Sequence, residues 1–208
     1  MKVIVFGATG TVGIQLLKQA LQQGYGVTAF TRTPEKLKSL PRTNLKILKG
    51  DILNPQDVEN AIYNHDAVLC AIGDGNKGSV RAVGTKNIIT AMQRQGIRRL
   101  ICQTTLGLGE SQGNLNFFWK HIMFGLLLKK AFQDHQLQEQ YLIDSNLDFT
   151  MVRPSAFTDG EVTRNYKIGF DGNYKNLSLK ISRADVADFM LQQLTKREYL
   201  KSAVSISN

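Results

Sequence analysis

The sequence predicts an α/β protein built on a single Rossmann-type sheet, doubly wound and parallel, with helices on both faces. Short apolar runs alternate with segments of helical spacing along the first half of the chain, which is the pattern of βαβ units. Three of the strand-like runs are almost continuously apolar, as strands covered on both faces of a sheet have to be. A length of 208 residues suits one domain with a sizeable core, so we expect a single domain over residues 1–208.

The expected strands and helices follow one another in regular order. The expected strands are KVIVF (2–6), GVTAFTR (26–32), LKILKGD (45–51), DAVLCAIG (66–73), RRLICQTT (98–105) and DFTMV (148–152). The expected helices are 11–24, 33–40, 55–63, 80–96, 130–145 and a closing helix, 184–194. In the first helix Ile14, Leu17 and Leu21 fall on one face, and Pro34 stands near the start of the second. We expect irregular chain over 153–180.

The first turn of the chain carries a glycine motif. Gly7, Gly10 and Gly13 follow the strand VIVF in the spacing G-x-x-G-x-x-G and open a helix. Glycine lets the backbone turn tightly and approach a pyrophosphate, while the helix N-terminus offers free N–H groups to the phosphates. Because the motif stands between a strand and a helix in an alternating chain, it indicates a dinucleotide-binding site.

The end of the second strand, FTRT, indicates which dinucleotide. Sites for NAD usually have an Asp or Glu here, which binds the ribose 2′-hydroxyl. This chain has Arg32 instead, with Lys36 one helical turn later. A guanidinium suits a 2′-phosphate through charge-assisted hydrogen bonds, so we expect NADP(H) as the cofactor. The alternative for Arg32 is a solvated cation at a strand end.

The ends of the third and fourth strands add candidate cofactor ligands. Asp51 is placed to accept a hydrogen bond from the adenine amino group, with Ile52 packing on the ring. The fourth strand ends in AIGDG beside the first strand at the predicted switch point, where Gly73 lets the chain pass close to the cofactor. Asp74 follows, and a plain loop role stays open for it.

The net charge of +9 favours anionic ligands. The cations occur in runs of no more than two, and the chain shows no helix-turn-helix, RNP or zinc pattern. We therefore expect anionic small molecules as partners, with no nucleic acid and no metal. The most apolar stretch, 116–132, is interrupted by lysines and is too short for a membrane span.

The cysteines and the first residues of the chain bear on the compartment. Cys70 and Cys102 end apolar strands and are expected to be buried thiols rather than a disulfide. Gly7 interrupts the first apolar run too early for the core of a signal peptide. Both observations predict a cytoplasmic protein.

Several stretches together resemble one known family. FGATGTVG, GDI, AIG, QTT, DHQLQE and LDFTMVRPSAFTDG are similar to atypical short-chain dehydrogenase/reductases with NmrA-like NAD(P)-binding domains, and within them to the biliverdin-IXβ reductase/flavin reductase group. The resemblance covers nearly the whole chain. It implies a monomeric or weakly associating domain that uses NADPH to deliver hydride to a planar conjugated acceptor, a flavin such as FMN or a linear tetrapyrrole such as biliverdin.

The resemblance also implies roles for individual positions. Those that match the family's cofactor site are Gly7, Thr9, Gly10, Thr11 and Val12 at the pyrophosphate, Arg32 at the 2′-phosphate, Asp51 and Ile52 at the adenine, Ile72, Gly73 and Asp74 by the nicotinamide ribose, and Pro154 and Ser155 over the nicotinamide. Thr105 falls on a serine common to many relatives. The chain departs from the tetrapyrrole reductases at Ala156, where they tend to have a histidine, and in a longer, more apolar insertion at about 113–133.

The position of the proton donor is a further departure. Ordinary short-chain dehydrogenases place a tyrosine, and four residues later a lysine, where this chain has Ala131 and His135. His135 can bond a ribose hydroxyl or a substrate carboxylate, or relay a proton near neutral pH; the alternative is a satisfied helix histidine. Thr105, and with it Thr104, can bond the nicotinamide carboxamide or the acceptor, or can merely satisfy backbone groups. Thr105 and His135 are the candidate catalytic residues.

The missing tyrosine selects among functions. It disfavours alcohol–ketone exchange, in which an alkoxide must be protonated in place. A flavin or bilin delocalises the negative charge, so water can supply the proton and catalysis rests on positioning. We expect an NADPH-dependent reductase of such an acceptor. The alternative is a non-catalytic NADP(H)-binding sensor, as NmrA-like regulators are.

The insertion has two readings. Phe117, Phe118, Trp119 and Phe124 supply aromatic surface for a lid or wall over a planar substrate. The alternative is a helix that packs in the core or at an oligomer contact. Aromatic residues at helical spacing are more often core, so the sequence favours the second reading.

Overall fold

The computed structural model describes residues 1–41, 43–174 and 176–208, which form a large sheet, a small sheet and α-helices on both sides. The strands are β1 (Lys2–Phe6), β2 (Gly26–Thr31), β3 (Leu45–Lys49), β4 (Ala67–Cys70), β5 (Arg99–Gln103), β6 (Asp148–Pro154), β7 (Ala156–Thr158), β8 (Lys167–Ile168), β9 (Lys180–Ser182) and β10 (Ser202–Ser207). The α-helices are α1 (Thr11–Gln22), α2 (Pro55–Ile62), α3 (Arg81–Gln95), α4 (Lys129–Ile143) and α5 (Arg183–Gln192). Short 3₁₀ helices span Pro34–Leu37 and Gly109–Asn114, and a π-helical segment spans Phe118–Leu127.

The large sheet has the strand order β3-β2-β1-β4-β5-β6-β10-β8. Its pairings are parallel except the outermost one, in which β8 runs antiparallel to β10. The chain winds outward from β1 in one direction and from β4 in the other, so a crevice opens between their carboxyl ends. The predicted doubly wound parallel fold is confirmed.

The central strand β1 is buried on both faces because its side chains alternate between two cores. Val3 and Val5 pack with α1 and α5 on one face. Ile4 and Phe6 pack with α2, α3 and α4 on the other. Continuous apolar sequence is the direct consequence of this double burial.

Helix α3 is held at its start by a residue of α4. The N–H groups of Arg81 and Ala82 donate to the two carboxylate oxygens of Asp134, each at 3.0 Å. A helix leaves its first N–H groups without internal partners, and a carboxylate there also suits the helix dipole. Asp134 therefore caps α3 across a sequence separation of more than fifty residues and fixes α4 beside it.

The C-terminal part of the chain differs from the expectation. The helix predicted to close the fold is followed by β10, which pairs with β6, and the stretch predicted to be irregular contains β7 and β8. Ser205 and Ser207 are buried in β10, so this buried strand contains polar residues, which the sequence pattern does not indicate as a strand. The expected helix 33–40 is only the 3₁₀ turn Pro34–Leu37.

The insertion does not pack in the core, so the core-packing part of the favoured reading is wrong, while an oligomer contact stays a prediction. No residue of Phe118–Leu127 is buried, and Leu126 is 73% exposed. The segment lies beside the carboxyl ends of β5 and β6. The ring of Phe124 stacks on Phe132 of α4 at 4.7 Å between centroids. Among the described residues, no helix has the length and apolarity that a membrane crossing requires.

A buried ion pair joins α4 to β6. Arg153 donates to both carboxylate oxygens of Glu139, through Nε at 2.9 Å and Nη2 at 2.7 Å. Thr104 donates to the same carboxylate at 2.7 Å. Arg153 also reaches Glu110 at 2.7 Å, which ties the 3₁₀ helix Gly109–Asn114, where the chain enters the insertion, to the sheet. Removal of one partner would leave the other charge buried and unpaired.

We expect Glu139→Ala to lower the free energy of unfolding by about 3–5 kcal/mol. Glu59→Ala is the matched control, since Glu59 pairs with Arg94, whose side chain is 62% exposed. An exposed pair of this kind contributes under about 1 kcal/mol. Guanidinium denaturation followed by circular dichroism measures both variants, and equal losses would contradict the structural role given to Glu139.

Candidate functional site

The turn between β1 and α1 is packed so closely that it has room only for glycine at two positions. Gly7 has φ +80°, and a Cβ there would lie 2.2 Å from the carbonyl oxygen of Ala71. A Cβ on Gly13 would lie 2.1 Å from the carbonyl oxygen of Gly7. The first contact brings the turn against the end of β4, and the second presses α1 onto the turn.

The start of α1 presents free N–H groups. Within the helix, Ile14 is the first residue whose N–H finds a backbone acceptor, Gly10 O at 2.9 Å. The N–H groups of Thr11 and Val12 precede it in the first turn and are free for an anion, helped by the positive end of the helix dipole. No acidic side chain stands in this turn to compete.

A cleft of about 450 Å³ lies in front of this turn, at the carboxyl ends of β1, β2, β4 and β5. It occupies the switch point of the sheet, where doubly wound proteins bind their ligands. The residues that line it are Gly7, Thr9, Gly10, Thr11, Val12, Phe30, Thr31, Arg32, Gly50, Ile52, Ala71, Ile72, Gly73, Val80, Arg81, Gln103, His135 and Phe157. We call it the dinucleotide cleft.

A second cavity, of about 320 Å³, adjoins the dinucleotide cleft. Phe157 lines both, so the two meet at this ring. The other residues of the second cavity are Thr105, Leu106, Leu115, Trp119, Met123, Phe124, Leu128, Pro154, Ser155, Ala156, Leu179 and Arg183. Most are apolar, and the insertion supplies one wall. We call it the apolar pocket.

The predicted site residues divide between these two spaces and the surrounding frame. Ten of them line the dinucleotide cleft: Gly7, Thr9, Gly10, Thr11, Val12, Arg32, Ile52, Ile72, Gly73 and His135. Thr105, Pro154 and Ser155 line the apolar pocket instead. The remaining four, Gly13, Asp51, Asp74 and Thr104, support the frame.

Three of the predicted ligands make hydrogen bonds within the chain, and their roles toward a cofactor stay predictions. Thr104 is buried and donates its hydroxyl proton to Glu139. Thr105 donates to the carbonyl of Leu106 at 3.3 Å and faces the apolar pocket rather than the cleft. Asp51 accepts from the N–H of Leu53 at 3.0 Å, and its neighbours, not Asp51, line the cleft.

Asp74 belongs to an ionic cluster under the cleft. It pairs with Arg81 at 2.5 Å and accepts from the N–H of Ser79 at 3.0 Å. Burial opposes its ionisation, but the hydrogen bonds from Ser79 and the charge of Arg81 together hold the pKa of Asp74 below its ordinary value. Arg81 also lies 3.6 Å from Asp134, so two carboxylates neutralise one buried guanidinium.

Arg81 lines the dinucleotide cleft, and sequence reasoning missed it. The sequence feature that indicates a special environment for Arg81 is its charge at the start of a helix. A cation in the first turn of a helix opposes the helix dipole and therefore needs nearby carboxylates. Asp74 and Asp134 are those carboxylates, but the second comes from a distant part of the chain.

His135 is neutral and held in one orientation. Its Nδ1–H donates to Gln138 Oε1 at 2.9 Å, and Gln138 in turn donates to Thr85 at 2.9 Å. Burial, and then the nearby charge of Arg81, lower the pKa of His135 to about 4. In this tautomer Nε2 is a hydrogen-bond acceptor. A neutral acceptor suits a ribose hydroxyl, and it argues against the expected proton relay near neutral pH.

Gln103 is a second residue that sequence reasoning missed. It is buried at the end of β5 and lines the dinucleotide cleft, and within the described chain its Oε1 has no hydrogen-bond partner. A buried polar atom without a partner is uncommon and points to a ligand. The signal was a polar residue at the end of an apolar strand. The predicted strand 98–105 ends two residues later than β5, so the sequence places Thr104 and Thr105 at this strand end instead of Gln103.

The sheet order, the glycine turn and the cleft at the switch point define a dinucleotide-binding domain of the Rossmann type, the fold of many NAD(P)-dependent oxidoreductases. The chain belongs to the NAD(P)H-binding family, whose family model matches residues 7–197. The resemblance to proteins with NmrA-like NAD(P)-binding domains is confirmed, and so is binding of NAD(P)(H).

Three known proteins illustrate the relationship. The photosystem II assembly factor Ycf39 of Synechocystis is 30% identical over 166 residues, which covers 77% of this chain and 46% of that protein. The chain thus spans about half the length of this relative. The oxidoreductase ylbE of Lactococcus lactis superposes with TM-score 0.83 at 25% identity, covering 100% and 91% of the two chains. ChuY of Escherichia coli, an anaerobilin reductase, superposes with TM-score 0.83 at 23% identity, covering 99% and 96%.

The lowered pKa of His135 predicts a pH-dependent stability. As pH falls below about 6.5 the unfolded chain takes up the proton first, and stability is lost until the folded-state pKa of about 4 is reached. The full difference is about 3 kcal/mol. We expect His135→Gln to remove this part of the loss and the exposed control His121→Gln to retain it. Urea titrations between pH 7 and pH 4 measure the difference; parallel curves for the two variants would contradict the assignment.

Proposed function

We propose that this protein is an NADPH-dependent reductase that delivers hydride to a planar conjugated acceptor, an anionic small molecule such as a flavin or a linear tetrapyrrole. The observation that carries the proposal is the junction of two spaces at Phe157. One is a polar cleft at the switch point, and the other is an apolar pocket of a size for a ring system. A nicotinamide and an acceptor ring can meet only where two such spaces join.

The residues of the dinucleotide cleft fit NADPH. The free N–H groups at the start of α1 suit the pyrophosphate. Arg32 is exposed at the end of β2 and suits a 2′-phosphate, since no carboxylate stands at that strand end. The unpartnered Oε1 of Gln103 and the acceptor Nε2 of His135 suit the carboxamide and ribose hydroxyls of the reacting half.

The proposed reaction needs no acid or base group from the chain. NADPH supplies the hydride, and the acceptor needs one proton to complete its reduction. His135 is neutral and uncharged at neutral pH, so water is the proton source in this proposal. A ring that spreads negative charge tolerates such a source, whereas an isolated alkoxide does not. The work of the chain is to orient two rings and exclude solvent between them.

The activity in the name of one structural neighbour supports this proposal. ChuY, an anaerobilin reductase, shares the fold over nearly the whole chain, which favours a tetrapyrrole among the acceptors. We also propose that the protein works in a reducing compartment, the cytoplasm, which the two buried free thiols support.

A second candidate function rests on the similarity to Ycf39. Ycf39 is an assembly factor by name, and its similarity favours a non-catalytic NADP(H)-binding protein that acts through other proteins. The same kinetic experiment separates the two functions, because a sensor binds NADPH without oxidising it.

We expect stopped-flow mixing of the protein with NADPH and FMN to show NADPH oxidation well above the uncatalysed rate. Phe124→Ala removes ring surface from the apolar pocket and should raise the flavin KM about tenfold. Phe117→Ala is the control, because Phe117 is 73% exposed and outside the pocket. No turnover with any flavin, bilin or quinone would refute the reductase and leave the sensor.

We expect Arg32→Ala to raise the KM for NADPH about tenfold to a hundredfold, the loss of a charged hydrogen bond to phosphate. The KM for NADH should change little, because NADH has no 2′-phosphate. Lys38→Ala, which removes an exposed cation six residues away, is the control. An equal effect of Arg32→Ala on both cofactors would overturn the choice of NADPH.

A further inference from the structure

The apolar pocket contains one cation. Among the described residues that line it, Arg183 alone is charged, and the remaining members are apolar side chains with the hydroxyls of Thr105 and Ser155. A guanidinium beside an apolar cavity is desolvated in part and gains from an anion brought into that cavity.

The guanidinium of Arg183 makes two contacts, with Phe157 and with Asp159. Its Cζ lies 5.6 Å from the centroid of the Phe157 ring, a cation–π contact. Its Nη1 donates to Asp159 at 2.8 Å. The Asp159 side chain is 96% exposed, so this ion pair is weak and leaves the guanidinium charge largely uncompensated.

One nitrogen of the same guanidinium, Nε, lacks a hydrogen-bond partner. Nε of Arg183 is buried, and no acceptor for it exists among the described residues. Nε and Nη2 form the side of the guanidinium opposite Nη1, and this edge binds carboxylates and phosphates with two parallel hydrogen bonds. Nη1 is therefore paired with Asp159, while the buried Nε has no acceptor in the described part of the chain.

A second unpartnered polar atom lies in the same pocket. The hydroxyl oxygen of Ser155 is buried, its residue is 6% exposed, and it has no partner within the described chain. Two buried polar groups without partners, in a cavity that is otherwise apolar, are both explained by one polar ligand group.

We propose that Arg183 binds an oxyanion of the acceptor, a carboxylate or phosphate, while the acceptor's ring lies in the apolar pocket between Phe157 and the insertion. This rests on the proposed reductase function and names the residue that binds the anionic arm of its planar acceptor. Ser155 donates to the same oxyanion. The cation fixes the acceptor by its arm, and the ring is thereby placed at the Phe157 junction.

The test compares acceptors with the same ring and a different arm. FMN and riboflavin share the isoalloxazine ring, and only FMN has a phosphate. Biliverdin and its dimethyl ester share the tetrapyrrole, and only biliverdin has free carboxylates. The first pair probes a phosphate arm and the second a carboxylate arm. In each pair we expect the wild-type protein to favour the anionic member about tenfold or more, in kcat/KM and in Kd with NADP⁺ present.

Arg183→Gln should abolish that preference by weakening the anionic member, with the neutral member unchanged. Asp159→Asn should increase the preference because it removes the competing carboxylate. Asp159 is exposed, so this change should leave the fold intact. Arg98→Gln, an exposed arginine remote from the pocket, is the control. Circular dichroism and NADPH affinity show that each variant is folded.

The outcomes separate the two proposals. Loss of the preference in Arg183→Gln supports the anchor, whether read from turnover or from binding alone. A wild-type protein that binds both members of each pair equally, or a preference that Arg183→Gln leaves intact, overturns it. Binding with the expected preference but no NADPH oxidation would refute the reductase while the anchor stands.

Discussion

The structure depends on one steric constraint, the contact of the first turn with the end of β4. At Gly7 the turn approaches the carbonyl of Ala71 so closely that a Cβ would lie 2.2 Å from it, and Gly13 allows α1 the same approach to Gly7. These contacts hold the first turn against the end of β4 and α1 against the turn. The loops that follow the two strands then diverge, and the dinucleotide cleft is the space between them.

A second constraint is electrostatic and acts between α3 and α4. Arg81 opposes the dipole of α3, and Asp134 compensates for it by capping the helix from α4. His135 follows Asp134 in the chain, so the same contact carries this imidazole to the cleft. The nearby guanidinium also keeps the pKa of His135 low. The cap, the neutral histidine and the paired guanidinium of Arg81 in the cleft are thus parts of one arrangement.

These two constraints explain what was readable in the sequence. β1, β4 and β5 were predictable because double burial leaves continuous apolar runs, and the phosphate end of the site was predictable because the glycines and Arg32 follow strands directly. β10 was not predictable, since Ser205 is polar although it is buried in this strand. Arg81 and Gln103 were not, because their places in the cleft follow from contacts between segments far apart in the chain.

The insertion has a consequence for how such proteins diverge. Phe118–Leu127 walls the apolar pocket, yet none of its residues is buried, so the folding core does not depend on their identity. Substitutions there change the shape of the pocket at little expense in stability. Sequence change within these ten residues can therefore reshape the pocket while the sheet and its glycine turn stay constant.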